Sequence, residues 1–182
     1  MLSNEQILGS LRKLGAELKR QELQGEIMLT GGAAMCLVHS ARDMTKDIDA
    51  LYEPKEIINR LVQQIAEEDN LPVDWLNDSV KGFISDNAPT EDFITLDGLK
   101  ITTVSPEYLL AMKLISSRYG EKDAEDIRFL MKKMEIKTIE SACETVAKFY
   151  PANRILPKTM YMIEECIEQL NEPEQELNQD FY

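Results

Sequence analysis

The sequence predicts an α+β (α/β) fold, and three observations carry that prediction. Apolar residues from Ile27 lead into Leu29-Thr30-Gly31-Gly32-Ala33-Ala34, which reads as a strand, a glycine turn and a helix. Fifteen residues after Gly32 comes Asp47-Ile48-Asp49, inside Lys46-Asp47-Ile48-Asp49-Ala50-Leu51-Tyr52, which alternates like a strand and turns both carboxylates to one face. Further on, Asp97-Gly98 separates Phe93-Ile94-Thr95-Leu96 from Leu99-Lys100-Ile101-Thr102-Thr103-Val104, the signature of a two-residue hairpin.

The other elements are helical. Ile7, Leu11, Leu14 and Leu18 form an apolar stripe over 4–22, and Ser3 with Gln6 makes a capping box at its start. The small-residue run after the glycines, 33–38, predicts a buried helix. Pro54 suits a first helical position, and Ile57, Ile58, Leu61, Val62 and Ile65 carry that helix to about Glu68, where Asn70-Leu71-Pro72 ends it. The segment 73–78, which contains the only tryptophan, carries no clear pattern. Ser105-Pro106-Glu107 is a helix start leading into 108–115, which places Lys113 two turns into a mostly apolar helix. Asp123 reads as the N-cap of the next helix, with Asp126 as its capping-box partner and Ile127, Leu130, Met131 and Met134 as its apolar positions. Helices over about 138–150 and 158–170 close the chain.

Composition narrows the function classes. With 182 residues, 43% of them hydrophobic and 29% charged, the chain suits one domain over 1–182 with a sizeable core. Its expected divisions are the N-terminal helix 4–22, a core over about 26–134, a helical extension over about 137–171 and an acidic tail over 172–182. Cys36, Cys143 and Cys166 form no C-x-x-C pair, and a single histidine leaves no zinc cluster, so a reduced, cytoplasmic setting is expected. The N-terminus lacks the basic and apolar regions of a signal peptide, and no apolar run approaches eighteen residues, so no membrane partner is expected. A net charge of −13 opposes broad binding to duplex DNA and leaves room for a local basic patch that meets a tRNA end. No Lys or Arg follows Lys158, and the tail reads as a solvated terminus or as a docking site for a basic partner.

The chemistry concentrates in the glycine turn and the two aspartates. Gly31 and Gly32 can take positive φ and let a ligand reach the backbone, and N–H groups at a helix start favour an anion such as phosphate. Alternate strand residues lie roughly 6.5 Å apart, so Asp47 and Asp49 can converge on one or two divalent ions. Magnesium, or manganese in its place, suits such oxygen ligands, and two metals about 4 Å apart can hold the attacking and departing oxygens of phosphoryl transfer. Alone, a Gly-Gly pair is usually an ordinary turn and an Asp-x-Asp is usually solvated; in this order on one frame they specify far more. Lys113 has two readings: its ammonium snorkels to water, or it faces the site and offsets a phosphate or leaving pyrophosphate. His39 reads as a surface residue or a helix C-terminal partner, Trp75 as a core anchor, and Cys36 as inert for want of a basic neighbour.

Together Thr30-Gly31-Gly32, Arg42-x-x-Thr45-Lys46-Asp47-Ile48-Asp49, Ser105-Pro106-Glu107-x-Leu109-x-x-x-Lys113, and Arg118 with Lys122-Asp123-x-x-Asp126 resemble the minimal nucleotidyltransferase superfamily. The nearest likeness is to the branch of AbiEii-like toxins and related uncharacterised proteins, over about 27–130, with Asp74-Trp75-Leu76-Asn77-Asp78 similar to one uncharacterised group. The resemblance implies a nucleotidyltransferase-like fold, a small mixed β-sheet flanked by helices with a helical C-terminal part. It implies metal-dependent transfer of a nucleoside monophosphate from a nucleoside triphosphate to a hydroxyl of a tRNA, a protein or a small molecule. Asp47 and Asp49 would bind metal, Gly31 and Gly32 would admit the triphosphate, Lys113 would contact phosphates, and Arg42 and Thr45 would shape the loop entering the carboxylate strand. Asp126, ahead of Asp123, matches the acid of the downstream motif. The wider superfamily often adds a third carboxylate on a later strand; Asp74 is the first candidate here and Asp97 the second. The implied setting is the toxin of a toxin–antitoxin pair with a cognate antitoxin as partner. The rival readings are a non-catalytic binding or regulatory module and a nucleotidyltransferase-like antitoxin.

Overall fold

The computed structural model describes residues 1–85, 88–116 and 121–172, without the side chains of 121 and 122. Arg118, the Lys122 side chain and tail residues 173–182 therefore lie outside the described residues. In chain order the elements are β1 (Leu2–Ser3), α1 (Asn4–Arg20), β2 (Gly25–Leu29), α2 (Gly31–Ala33), β3 (Met44–Thr45), β4 (Ile48–Glu53), α3 (Lys55–Asp69), β5 (Leu76–Asn77), β6 (Thr90–Leu96), β7 (Leu99–Val104), α4 (Pro106–Ser116), α5 (Glu121–Lys133), α6 (Ile139–Ala147) and α7 (Pro157–Asn171). The fold is mixed α+β, as the sequence predicts. A five-stranded sheet runs in the order β5-β4-β2-β7-β6, and β1 pairs with β3 in a separate two-stranded sheet.

Sheet topology follows from the connections. β2 holds the middle, antiparallel to β4 and parallel to β7; β5 adds parallel to β4, and β6 and β7 form the antiparallel hairpin. Gly98, at φ 73°, closes that hairpin after Asp97, with Leu96 opposite Leu99. Alternation puts Ile27 and Leu29 on the face covered by α1 and α3. The stripe Ile7, Leu11, Leu14 and Leu18 is fully buried, and each such side chain contributes about 1.5–3 kcal/mol of burial. Ser3 and Gln6 cap α1 reciprocally, as their spacing predicts. On the other side of the molecule α4, α5, α6 and α7 enclose a second apolar cluster around Tyr108, Leu109, Leu130 and Ile163. Among the described residues no helix is long and apolar enough to cross a membrane.

Four local readings are corrected. The run after the glycines continues from α2 as a π-helical turn over Ala34–Val38, closed by His39 N–H donating to the Ala34 carbonyl at 3.1 Å. Pro54 is the N-cap of α3, with extended ψ of 122°, rather than its first helical residue. Segment 73–78 does hold an element: Trp75 is fully buried with its indole N–H on the Val62 carbonyl at 3.0 Å, and the next two residues form β5. Finally, α5 starts at Glu121, so Asp123 and Asp126 lie within the helix instead of capping it.

Candidate functional site

The floor of the site is the crossing of β2 and β4. Thr30 donates both its N–H and its hydroxyl to the Asp49 carbonyl, each at 3.0 Å, which fastens the end of β2 over the start of β4. Gly31 then turns with φ 53°, and a Cβ there would stand 3.0 Å from Asp49 Oδ2. Both facts require glycine, one through backbone conformation and one through contact. At Gly32 a Cβ would fall 2.3 Å from Thr45 Oγ1 and 2.5 Å from Arg42 Nη2, so the missing side chain there seats two other residues of the cleft.

Asp47 sits in a bend just ahead of β4, and Asp49 is the second residue of the strand; both line one cleft. Burial pushes the Asp49 carboxyl above its ordinary value, and the negative charge of Asp47 pushes it further; an Asn77 hydrogen bond, Lys113 and Lys46 oppose this. Among the described residues the ion pair of Asp47 is with the exposed Lys46, at a loose 3.9 Å. Two carboxylates thus share a half-buried site with no tighter ion pair among those residues.

The strand beside this pair presents an amide. Asn77 is in register with Asp49 across the parallel β4–β5 pair. Its Oδ1 accepts from Ser79 N–H at 3.0 Å, which directs the amide NH2 toward acceptors, Asp49 among them. Sequence reasoning missed this residue, because a two-residue strand leaves no periodicity to read. Asp74 lines the cleft, yet among the described residues no group of three His, Cys, Asp or Glu side chains forms. Asp97, the second candidate for a third carboxylate, lies on the hairpin turn that Asp97-Gly98 predicts, 78% exposed and paired with Lys19 at 2.9 Å, and is not among the residues lining the cleft.

Two cations, Lys113 and Arg42, line the same cleft. Lys113 is 7% exposed, so of its two readings the ammonium faces the site instead of reaching water. Its Nζ lies 2.6 Å from Asp126 Oδ2 and 3.3 Å from Asp123 Oδ1. Asp126 is 4% exposed and also takes Arg42 Nη2 at 3.2 Å. The expected capping role of Asp126 is therefore replaced by that of an anchor for two cations from distant parts of the chain. Arg42 also reaches Cys36, a basic neighbour that sequence alone did not reveal; burial dominates and still raises the thiol. His39 is neither a surface residue nor a charged helix terminator: it is buried, its Nδ1 lies 3.0 Å from Lys133 Nζ, and burial followed by that cation lowers its pKa to about 4.

The cleft encloses about 930 Å³. Thr30, Gly31, Asp47 and Asp49 line it together with Lys113, Asp123, Asn77, Val80 and Phe83. That volume falls within the roughly 300–1,000 Å³ of small-molecule sites.

Comparison with known proteins agrees with this geometry at the level of the family. The model of a family described as "nucleotidyltransferase of unknown function" (DUF6036) matches residues 7–169. No curated protein and no solved structure matches the chain.

Proposed function

The chain belongs to that family of nucleotidyltransferases, and on this premise we propose that it transfers a nucleoside monophosphate from a nucleoside triphosphate to a hydroxyl acceptor with the help of divalent metal. One observation carries the proposal: Asp47 and Asp49 line the same cleft as Gly31 with no ion pair tighter than 3.9 Å among the described residues, and burial, followed by the Asp47 charge, raises the Asp49 carboxyl. Paired carboxylate oxygens in a half-buried cleft suit magnesium or manganese, which fill their remaining positions with water and substrate phosphates. Bound by Asp47 and Asp49, such an ion would offset phosphate charge and polarise the reacting phosphoryl group.

The other residues act through charge and access. Gly31 opens the backbone to the triphosphate. Lys113 and Arg42, held by Asp126, oppose the charge that gathers on pyrophosphate as the acceptor oxygen bonds to the α-phosphorus and the α–β bridging bond breaks. Asp126 is thereby a positioning residue, and Asp123 supports Lys113 from its other side.

A second reading is favoured by Asn77, which stands where a third acid would otherwise face Asp49: a module that binds nucleotide without turning it over. Labelled nucleoside triphosphate with magnesium and tRNA, protein or small hydroxyl acceptors separates the two. Transfer by the native chain and none by Asp49→Asn supports the enzyme; binding without transfer supports the module. The proposed setting, an AbiEii-like toxin acting in the cytoplasm, rests on the order of the motifs. Growth arrest on expression, relieved by Asp49→Asn, tests it, and an antitoxin role predicts no arrest.

A further inference from the structure

We propose that Phe83 is the platform on which the base of the bound nucleotide stacks, in the cleft that Gly31, Asp47 and Asp49 also line. The proposal rests on the reading of this cleft as a nucleoside triphosphate site. Phe83 lines the cleft and keeps 48% of its surface exposed. Its neighbours Val80 and Ile84 pack against the second apolar cluster. A ring left half in water gains little for the fold, whereas a flat ligand laid against it removes apolar surface from water.

The backbone beneath the ring is fastened. The Phe83 carbonyl accepts from the Tyr150 hydroxyl at 2.9 Å, and Phe83 N–H donates to the Val80 carbonyl at 2.8 Å. Two residues on, Ser85 N–H donates to the Tyr108 hydroxyl at 2.8 Å. Tyr108 is fully buried, stacks on Tyr150 with centroids 6.0 Å apart, and meets Phe149 edge-on at 5.0 Å. Two tyrosines thus hold the chain at Phe83 and at Ser85 just after it, and Phe83 lines the cleft. Leu109 and Met112 of α4 contribute apolar surface to the same cleft. No charged side chain is needed at such a subsite, because every base has a π-face; stacking accepts all four bases and favours purines for their larger overlap.

The test is calorimetric titration with ATP, CTP and inorganic tripolyphosphate in magnesium, using the native chain, Phe83→Ala and Phe83→Trp. Phe83→Ala should weaken ATP by about tenfold, the scale of one lost base stack, with a smaller loss for CTP and none for tripolyphosphate. Phe83→Trp should restore ATP binding. Equal ATP affinity in the native chain and Phe83→Ala overturns the platform and leaves the nucleotide site standing, as does a matching loss for tripolyphosphate. Failure of the native chain to bind any of the three overturns the nucleotide reading itself, and the platform with it.

Discussion

Two carboxylates in this molecule, Asp49 and Asp126, sit in opposite electrical surroundings. Asp126 is almost fully buried and meets two cations, Lys113 at 2.6 Å and Arg42 at 3.2 Å. Asp49 is half-buried and feels a second carboxylate, offset among the described residues by an amide and by the charges of Lys113 and Lys46. Among the described residues the first carboxylate is balanced by its own cations, and the second is where the proposed function would seat a divalent ion. The comparison teaches which acid is structural and which is open to a ligand, a distinction that acidity and motif membership alone do not make.

The largest effect should come from breaking the balanced side. Asp126→Ala leaves buried Lys113 with only the longer Asp123 contact and half-buried Arg42 without its carboxylate, and should cost about 3 kcal/mol of stability, the low end of the penalty for breaking a buried ion pair. At about 2–4 °C per kcal/mol for a domain of this size, thermal unfolding should fall by roughly 10 °C. An unchanged midpoint would mean that Asp126 is not the anchor described.

Asp49→Asn should behave in the reverse way. It should lower transfer by about a hundredfold or more, since a metal's charge stabilisation is worth several kcal/mol and each 1.36 kcal/mol is a factor of ten. Stability should hold or rise, because the repulsion from Asp47 is removed. The sign follows from linkage: the folded pKa of Asp49 lies above its unfolded value, so the folded state binds more protons in that interval and stability falls as pH rises through it. Magnesium should offset this at neutral pH and lose its stabilising effect in acid, where the carboxyls protonate. Melting curves with and without magnesium across pH read this directly.

His39 supplies a separate acid-side effect that must be assigned first. Its folded pKa of about 4 lies below its unfolded value of 6.5, so it is stably neutral above pH 6.5, and stability is lost as pH falls from there toward 4. The full loss is on the order of 3 kcal/mol. His39→Gln should flatten that limb of the stability curve and leave the magnesium effect intact.

The smallest expected change is the sharpest probe of the comparison. Asn77→Asp places a third acid in register with Asp49 and should tighten manganese by about tenfold, the scale by which groups around a metal tune its affinity. Weaker metal binding in this variant would show that the amide orients Asp49 better than added charge serves it.

What the sequence revealed of this site was local. Gly31, Asp47 and Asp49 stand close together in sequence, so a turn and a strand alternation pointed to them, although β4 begins at Ile48 and Asp47 lies in the bend before it instead of on the strand. The helix cap at Ser3 and the Asp97-Gly98 hairpin were legible for the same reason, whereas Thr138, read as part of a helix, is its N-cap and forms a capping box with Ser141. The balance of charge was hidden, because Arg42, Lys113 and Asp126 come from three distant elements and only the packing of α4 against α5 and the glycine turn unites them. Asn77 and Phe83 were hidden differently. One lies on a strand of two residues and the other in a short 3-10 turn, too brief for any periodicity.

The most direct test of the account is a manganese titration followed by calorimetry in the presence of nucleoside triphosphate, on the native chain, Asp49→Asn and a conservative Asp126→Asn. The account predicts binding by the native chain, its loss in Asp49→Asn and its retention in folded Asp126→Asn. Equal manganese binding by the native chain and Asp49→Asn would contradict it.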